Sequence, residues 1–125
     1  MPGRRPGSVS SKLLASILGS WSIFDPKDPG SKEFDLAGPA TISFGQGYYP
    51  SRLRLMELEE WIDWRVLKRG IVTIVEFSWR RVEGDESVSG KGRLKLDKDG
   101  ILRGTVKRGD GSSLAIAARR GVRNW

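Results

Sequence analysis

From Ser20 to Arg120 the chain is written in short apolar runs, each broken by glycine, proline or a cluster of charges. Two of these runs alternate without error. In GKGRLKL (90–96) Leu94 and Leu96 oppose Lys91, Arg93 and Lys95, and in ILRGTVK (101–107) Leu102, Gly104 and Val106 oppose Ile101, Arg103, Thr105 and Lys107. A period of two is the signature of a strand with one face buried. The same reading applied to SWSIFD (20–25), PATISF (39–44), SRLRLMEL (51–58), WIDWRVLK (61–68), IVTIVEFSWRR (71–81) and SSLAIAARR (112–120) brings the expected number of strands to eight. Ahead of them, SSKLLASIL places Leu13, Leu14, Ile17 and Leu18 on one side of a two-turn helix with a serine at its start.

The connections are mostly two to six residues long, too short for the dozen or more that a parallel crossover needs, so neighbours in sequence should pair antiparallel. Eight such strands remove their exposed edges by closing into a ring. The expected fold is therefore all-β: an eight-stranded antiparallel up-and-down barrel with a short N-terminal helix. It occupies residues 11–120 as one domain, between a flexible basic tail at 1–10 and a C-terminal tail at 121–125. The glycines of DKDG (97–100) and RGDG (108–111) read as hairpin turns, with Gly100 and either Gly109 or Gly111 at positive φ, and not as a phosphate cradle or calcium loop.

Two resemblances follow from particular residues. Gly19-Ser20-Trp21 opens the first strand after a helical turn, and Arg119 or Arg120 ends the last. This arrangement resembles the calycin barrels of the lipocalin and avidin group, where a Gly-x-Trp packs against an arginine of the closing strand and seals the barrel's end. The resemblance implies a barrel-closing role for Gly19, Trp21 and Arg119 or Arg120. Phe77-x-Trp79, Gly90-x-Gly92, Asp99-Gly100-Ile101-Leu102-Arg103-Gly104, Gly109-Asp110 and Ala118-Arg119-Arg120 occur in the order seen in a group of small uncharacterised bacterial proteins. That likeness covers about a third of the chain and implies no activity.

Composition narrows the chemistry. There is no cysteine and no histidine, which removes thiolate chemistry, Ser-His-Asp triads and histidine-based metal sites. No cofactor or metal is expected. Catalysis would have to rest on Asp, Glu, Lys, Tyr or Ser. Tyr48 and Tyr49 lack a positioned base, and the acids Glu57, Glu59, Glu60 and Asp63 beside Trp61 read as a turn with cross-strand partners Arg52, Arg54 and Arg65. The expectation leans away from an enzyme and leaves that question open. The cysteine-free composition suits the cytoplasm, Arg4 and Arg5 before LLASIL lack the cleavage site of an export signal, and no apolar run approaches the ~20 residues of a membrane span.

Of the net charge of +7, Arg4, Arg5, Lys12, Arg119, Arg120 and Arg123 supply +6. Residues 13–118 hold sixteen bases against fifteen acids. Within that body the excess lies on one outward stripe, Lys91, Arg93 and Lys95 on one strand and Arg103 and Lys107 on its neighbour. These five are the candidate anion-binding residues. A lumen lined by Trp64, Phe77, Trp79, Leu94 and Val106 is the candidate site for a small molecule. The leading expectation is non-enzymatic binding of a small anionic or apolar ligand. The alternative is nucleic-acid binding through the cationic stripe and the basic tails. IVTIVEF is apolar on both faces, Val72 and Ile74 opposing Ile71, Thr73 and Val75, so the helix, a loop or a second subunit should cover it, and homo-oligomerisation is a further expectation.

Overall fold

A computed structural model describes residues 11–36 and 38–121, so the two expected tails lie outside the described residues apart from Gly121. Helix α1 (Ser11–Ala15) is shorter than its pattern suggests, although Ile17 just beyond it is fully buried and Leu13 and Leu14 pack on the core. Nine strands follow: β1 (Gly19–Phe24), β2 (Thr41–Phe44), β3 (Arg52–Leu55), β4 (Leu58–Trp61), β5 (Asp63–Arg69), β6 (Val72–Glu83), β7 (Glu86–Leu96), β8 (Leu102–Arg108) and β9 (Ser113–Arg120). All pairings are antiparallel, in the order β4-β3-β2-β1-β9-β8-β7-β6-β5.

The count of eight is thus corrected to nine. The run expected as one strand over 51–58 folds back on itself, because Met56 takes φ +56° and starts a two-residue turn that sets Leu55 against Leu58. Glycine normally fills such a position. Met56 holds it because its amide donates to the Phe34 carbonyl (2.9 Å) and its side chain packs against the core. Glu59 and Glu60, expected in a turn, lie in β4.

The sheet curls almost into a ring. Its two edge strands, β4 and β5, are consecutive in the chain and joined by Ile62 alone. The seam is bridged from the β2–β3 loop: the Ile62 amide donates to the Ser51 carbonyl (3.0 Å), and the Trp64 indole N–H is shared between the Gly45 carbonyl and Ser51 Oγ (both 3.1 Å).

Inside the ring, Trp21, Ile42, Phe44, Leu53, Phe77, Leu94 and Ile116 form one continuous core. Phe44 meets Trp64 (5.2 Å between ring centres) and Phe77 (6.4 Å), and Phe77 stacks on Trp79 (6.4 Å). Phe77 and Trp79 lie directly over Gly92 and Gly90, where an added Cβ would fall 2.1 Å from each ring. Outside the ring Ile74 is also buried, flanked in register by Leu67 and Lys95. Past Trp79 the β6–β7 hairpin runs on as a two-stranded ribbon, with Arg80 to Glu83 paired only to Glu86 to Ser89.

Candidate functional site

Alternation fixes which side chains leave the barrel, and register fixes how they line up. Across β5 to β8 one outward row reads Asp63, Ser78, Lys91, Lys107, and the next reads Arg65, Glu76, Arg93, Thr105. Between them runs the row Trp64, Phe77, Gly92, whose side chains (where they have one) turn inward and leave backbone as a floor. The result is an open transverse groove of about 680 Å³ walled by those eight residues. Three spacings of ~4.8 Å make it about 14 Å long.

Its charges are unevenly satisfied. Glu76 accepts from Arg65 Nε and Nη2 (2.9 and 2.7 Å) and lies 3.7 Å from Arg93 Nε. The Arg65 hydrogen bond is the largest influence on its carboxyl and outweighs the opposing effect of burial; with the charges of Arg65 and Arg93 it holds the group below the usual glutamate value. Lys91 and Lys107 face each other across β7 and β8, and among the described residues neither makes an ion pair. Like charges directly opposite on a sheet face repel. Ser78 flanks this pair on β6 and Ser113 on β9, so the row runs hydroxyl, ammonium, ammonium, hydroxyl. With four cations (Lys91, Lys107, Arg65, Arg93) against two acids (Asp63, Glu76), the groove carries +2.

Of the five stripe residues, the fold brings Lys91, Arg93 and Lys107 into the groove. Lys95 and Arg103 stand one row further along, against Asp97 and Asp99. Arg103 Nη1 donates to Asp97 (2.7 Å), Arg103 Nη2 to Asp99 (2.9 Å), and Lys95 Nζ lies 3.8 Å from Asp97. The Arg103 hydrogen bond is the leading cause that lowers the Asp99 carboxyl, and Asp99 in turn pushes the guanidinium up. Arg65, expected to partner the acids beside Trp61, pairs with Glu76 instead, and Ser78 and Thr105 were not among the candidate site residues. Their outward alternation was legible, but the register that aligns them was not.

The five lumen candidates all sit on the inward face. Phe77, Trp79, Leu94 and Val106 are buried in the core and Trp64 packs against it. The Trp79 indole N–H is buried without a hydrogen-bond partner among the described residues. At the other end of the barrel, Arg120 Nη2 donates to the carbonyls of Ala15 (3.1 Å) and Ser16 (2.8 Å), Nη1 donates to Leu18, and the guanidinium lies 4.5 Å over the Trp21 ring. Trp21 Nε1 donates to the Ile17 carbonyl (2.8 Å), and Gly19, at φ +114°, leaves 3.0 Å between a would-be Cβ and Arg120 Nη1. Arg119 points outward and covers Phe24 (4.3 Å).

The acids beside the third turn are held separately. Glu59 joins Arg52 and Arg54, Glu57 joins Arg108 (2.8 Å), and Glu60, only 7% exposed, meets Arg81 Nε at 3.2 Å. Trp61 stands outside at 65% exposure, with the Arg52 guanidinium 4.8 Å from its ring centre. Among the described residues no helix is long and apolar enough to cross a membrane. No family model, curated protein or solved structure matches the chain.

Proposed function

We propose that this protein is a non-enzymatic binding module whose ligand is anionic, carries phosphate or a comparable group, and lies in the outer groove. One observation carries the reading: Lys91 and Lys107 are opposed in register with no carboxylate paired to either among the described residues, while Lys95 and Arg103 beside them are matched by Asp97 and Asp99. An anion between the two ammonium groups relieves their repulsion, with Ser78, Ser113 and Thr105 as hydroxyl donors and Arg93 within the same wall. The side chains proposed to line a lumen are core residues, which supports placing the ligand outside the ring. We also take the barrel to be of calycin type, and the contacts of Gly19, Trp21 and Arg120 support that.

Calorimetric titration with tripolyphosphate at low ionic strength tests the groove. Binding is expected for the native chain, strongly reduced in Lys91→Ala/Lys107→Ala, and retained in Lys95→Ala. A native protein that takes up no tripolyphosphate ends the proposal.

A further inference from the structure

Resting on that reading, we infer that the groove's occupant is a single-stranded nucleic acid, its phosphates at the β7–β8 end and a base on the exposed Trp61 at the seam.

Binding single strands takes two features together: cations that track the backbone, and exposed aromatic faces on which unpaired bases stack. The stripe of Lys91, Arg93 and Lys107 contains no aromatic residue. The fold supplies one from a different part of the chain. The groove's β5 end is Asp63, and Trp61 precedes it by two residues on the same outward side, so their Cα atoms are at most about 7 Å apart. Tyr49 belongs to the β2–β3 loop that bridges this seam; it is 78% exposed and lines a second cavity with Leu18, Gly19 and Ser43 rather than the groove itself. Arg52 lies over the Trp61 indole, yet the ring remains 65% exposed, so a base can add to an arginine–tryptophan stack.

The acids in the groove give this track a direction. Glu76 is neutralised by Arg65 and Arg93. Asp63 makes no ion pair among the described residues and stands between Trp61 and the lysines. It repels phosphate, which keeps the backbone toward Lys91 and Lys107, and it accepts hydrogen bonds from base amino groups or, in RNA, from a 2′-hydroxyl. A duplex gains nothing from Trp61, since its bases are already stacked on each other. An anionic membrane surface gains nothing from a transverse groove with an acid at one end.

Fluorescence anisotropy with labelled oligo(dT) and oligo(rU) of about twelve nucleotides, within the range of known single-strand sites, tests this against a duplex of equal length and phosphatidylserine vesicles. Both single strands are expected to bind, with log K falling against log salt at a slope of about −2, or roughly −0.7 for each of three phosphates engaged. Lys107→Ala should make that slope shallower by about 0.7. Trp61→Ala, checked for folding by circular dichroism, should weaken the oligonucleotides by at least about fivefold and leave tripolyphosphate binding unchanged. Equal affinity for the duplex, no effect of Trp61→Ala, or binding of vesicles in place of oligonucleotides would overturn the inference. Tripolyphosphate bound without oligonucleotide ends this inference and spares the anion site, whereas failure of both removes both.

Discussion

Two neighbouring arginines show how much a one-residue shift along a strand decides. Arg120 turns into the end of the barrel and caps three carbonyls of the helix and the turn after it, while Arg119 turns out and covers Phe24. Three charge-assisted bonds to backbone carbonyls contribute more than an exposed cation–π contact. Arg120→Ala should therefore cost about 2–4 kcal/mol in urea unfolding and Arg119→Ala less than about 1 kcal/mol. The sequence left the choice between them open because alternation gives opposite faces and does not say which one looks inward at the barrel's end. Glycines carry a second residue-scale lesson. Gly92 is inward-facing and has no side chain because Phe77 occupies the space, so Gly92→Ala should destabilise by about 1–3 kcal/mol through overpacking, whereas Gly30→Ala, with nothing within 4 Å, should be close to neutral by thermal melting.

Among the elements, the sequence was most informative where turns use the expected chemistry. Gly100 and Gly111 sit at φ +83° and +92° in the hairpins they were expected to make, and β8 spans Leu102–Arg108 against an expected 101–107. It failed at 51–62, where a methionine turns the chain and a second strand ends at Trp61, because the Met56–Phe34 contact and the Ser51–Ile62 bond join residues far apart in the chain, whereas β5 (Asp63–Arg69) follows the expected 61–68 closely. The groove was half legible for the same reason: its lysines could be read from alternation, its walls only from register. The β6–β7 ribbon was also read short, since 80–89 is polar and lacks the alternation of a buried strand. At the ribbon's base, Arg81 is the ion-pair partner of the nearly buried Glu60. Removing one member of such a pair leaves a charge in apolar surroundings, and replacing the charge with an apolar residue does not. Arg81→Ala should thus lower stability by about 1–3 kcal/mol, scaled down from a fully buried pair because Arg81 is half exposed, and Glu60→Leu should be neutral or stabilising in the same denaturation assay.

For the molecule as a whole, pH should matter only on the acid side. With no histidine, no side chain of ordinary pKa titrates between pH 5 and 8, so the melting temperature should be flat there. Glu59, Glu76, Asp99 and Asp110 all have native carboxyls below their ordinary values, the first three chiefly through arginine hydrogen bonds and Asp110 through Ser112. A depressed native value means that the unfolded chain binds protons first. Their stabilisation is complete above about pH 5 and fades as the pH falls below about 4 and through the native values. Melting curves from pH 7 to 2 would show this as a plateau followed by a decline, and a decline that begins above pH 5 would contradict it.

The contact that seals the barrel's end also brings distant parts of the chain together. Gly121 donates to the Ser20 carbonyl, and Arg120 beside it grips Ala15 and Ser16, one helical turn from Ser11. The tip of the β6–β7 ribbon, Gly84 and Asp85, is exposed and touches no other element by pairing. A circularly permuted gene that splices 121 to 11 through a short linker and starts anew at Asp85 should yield the same barrel.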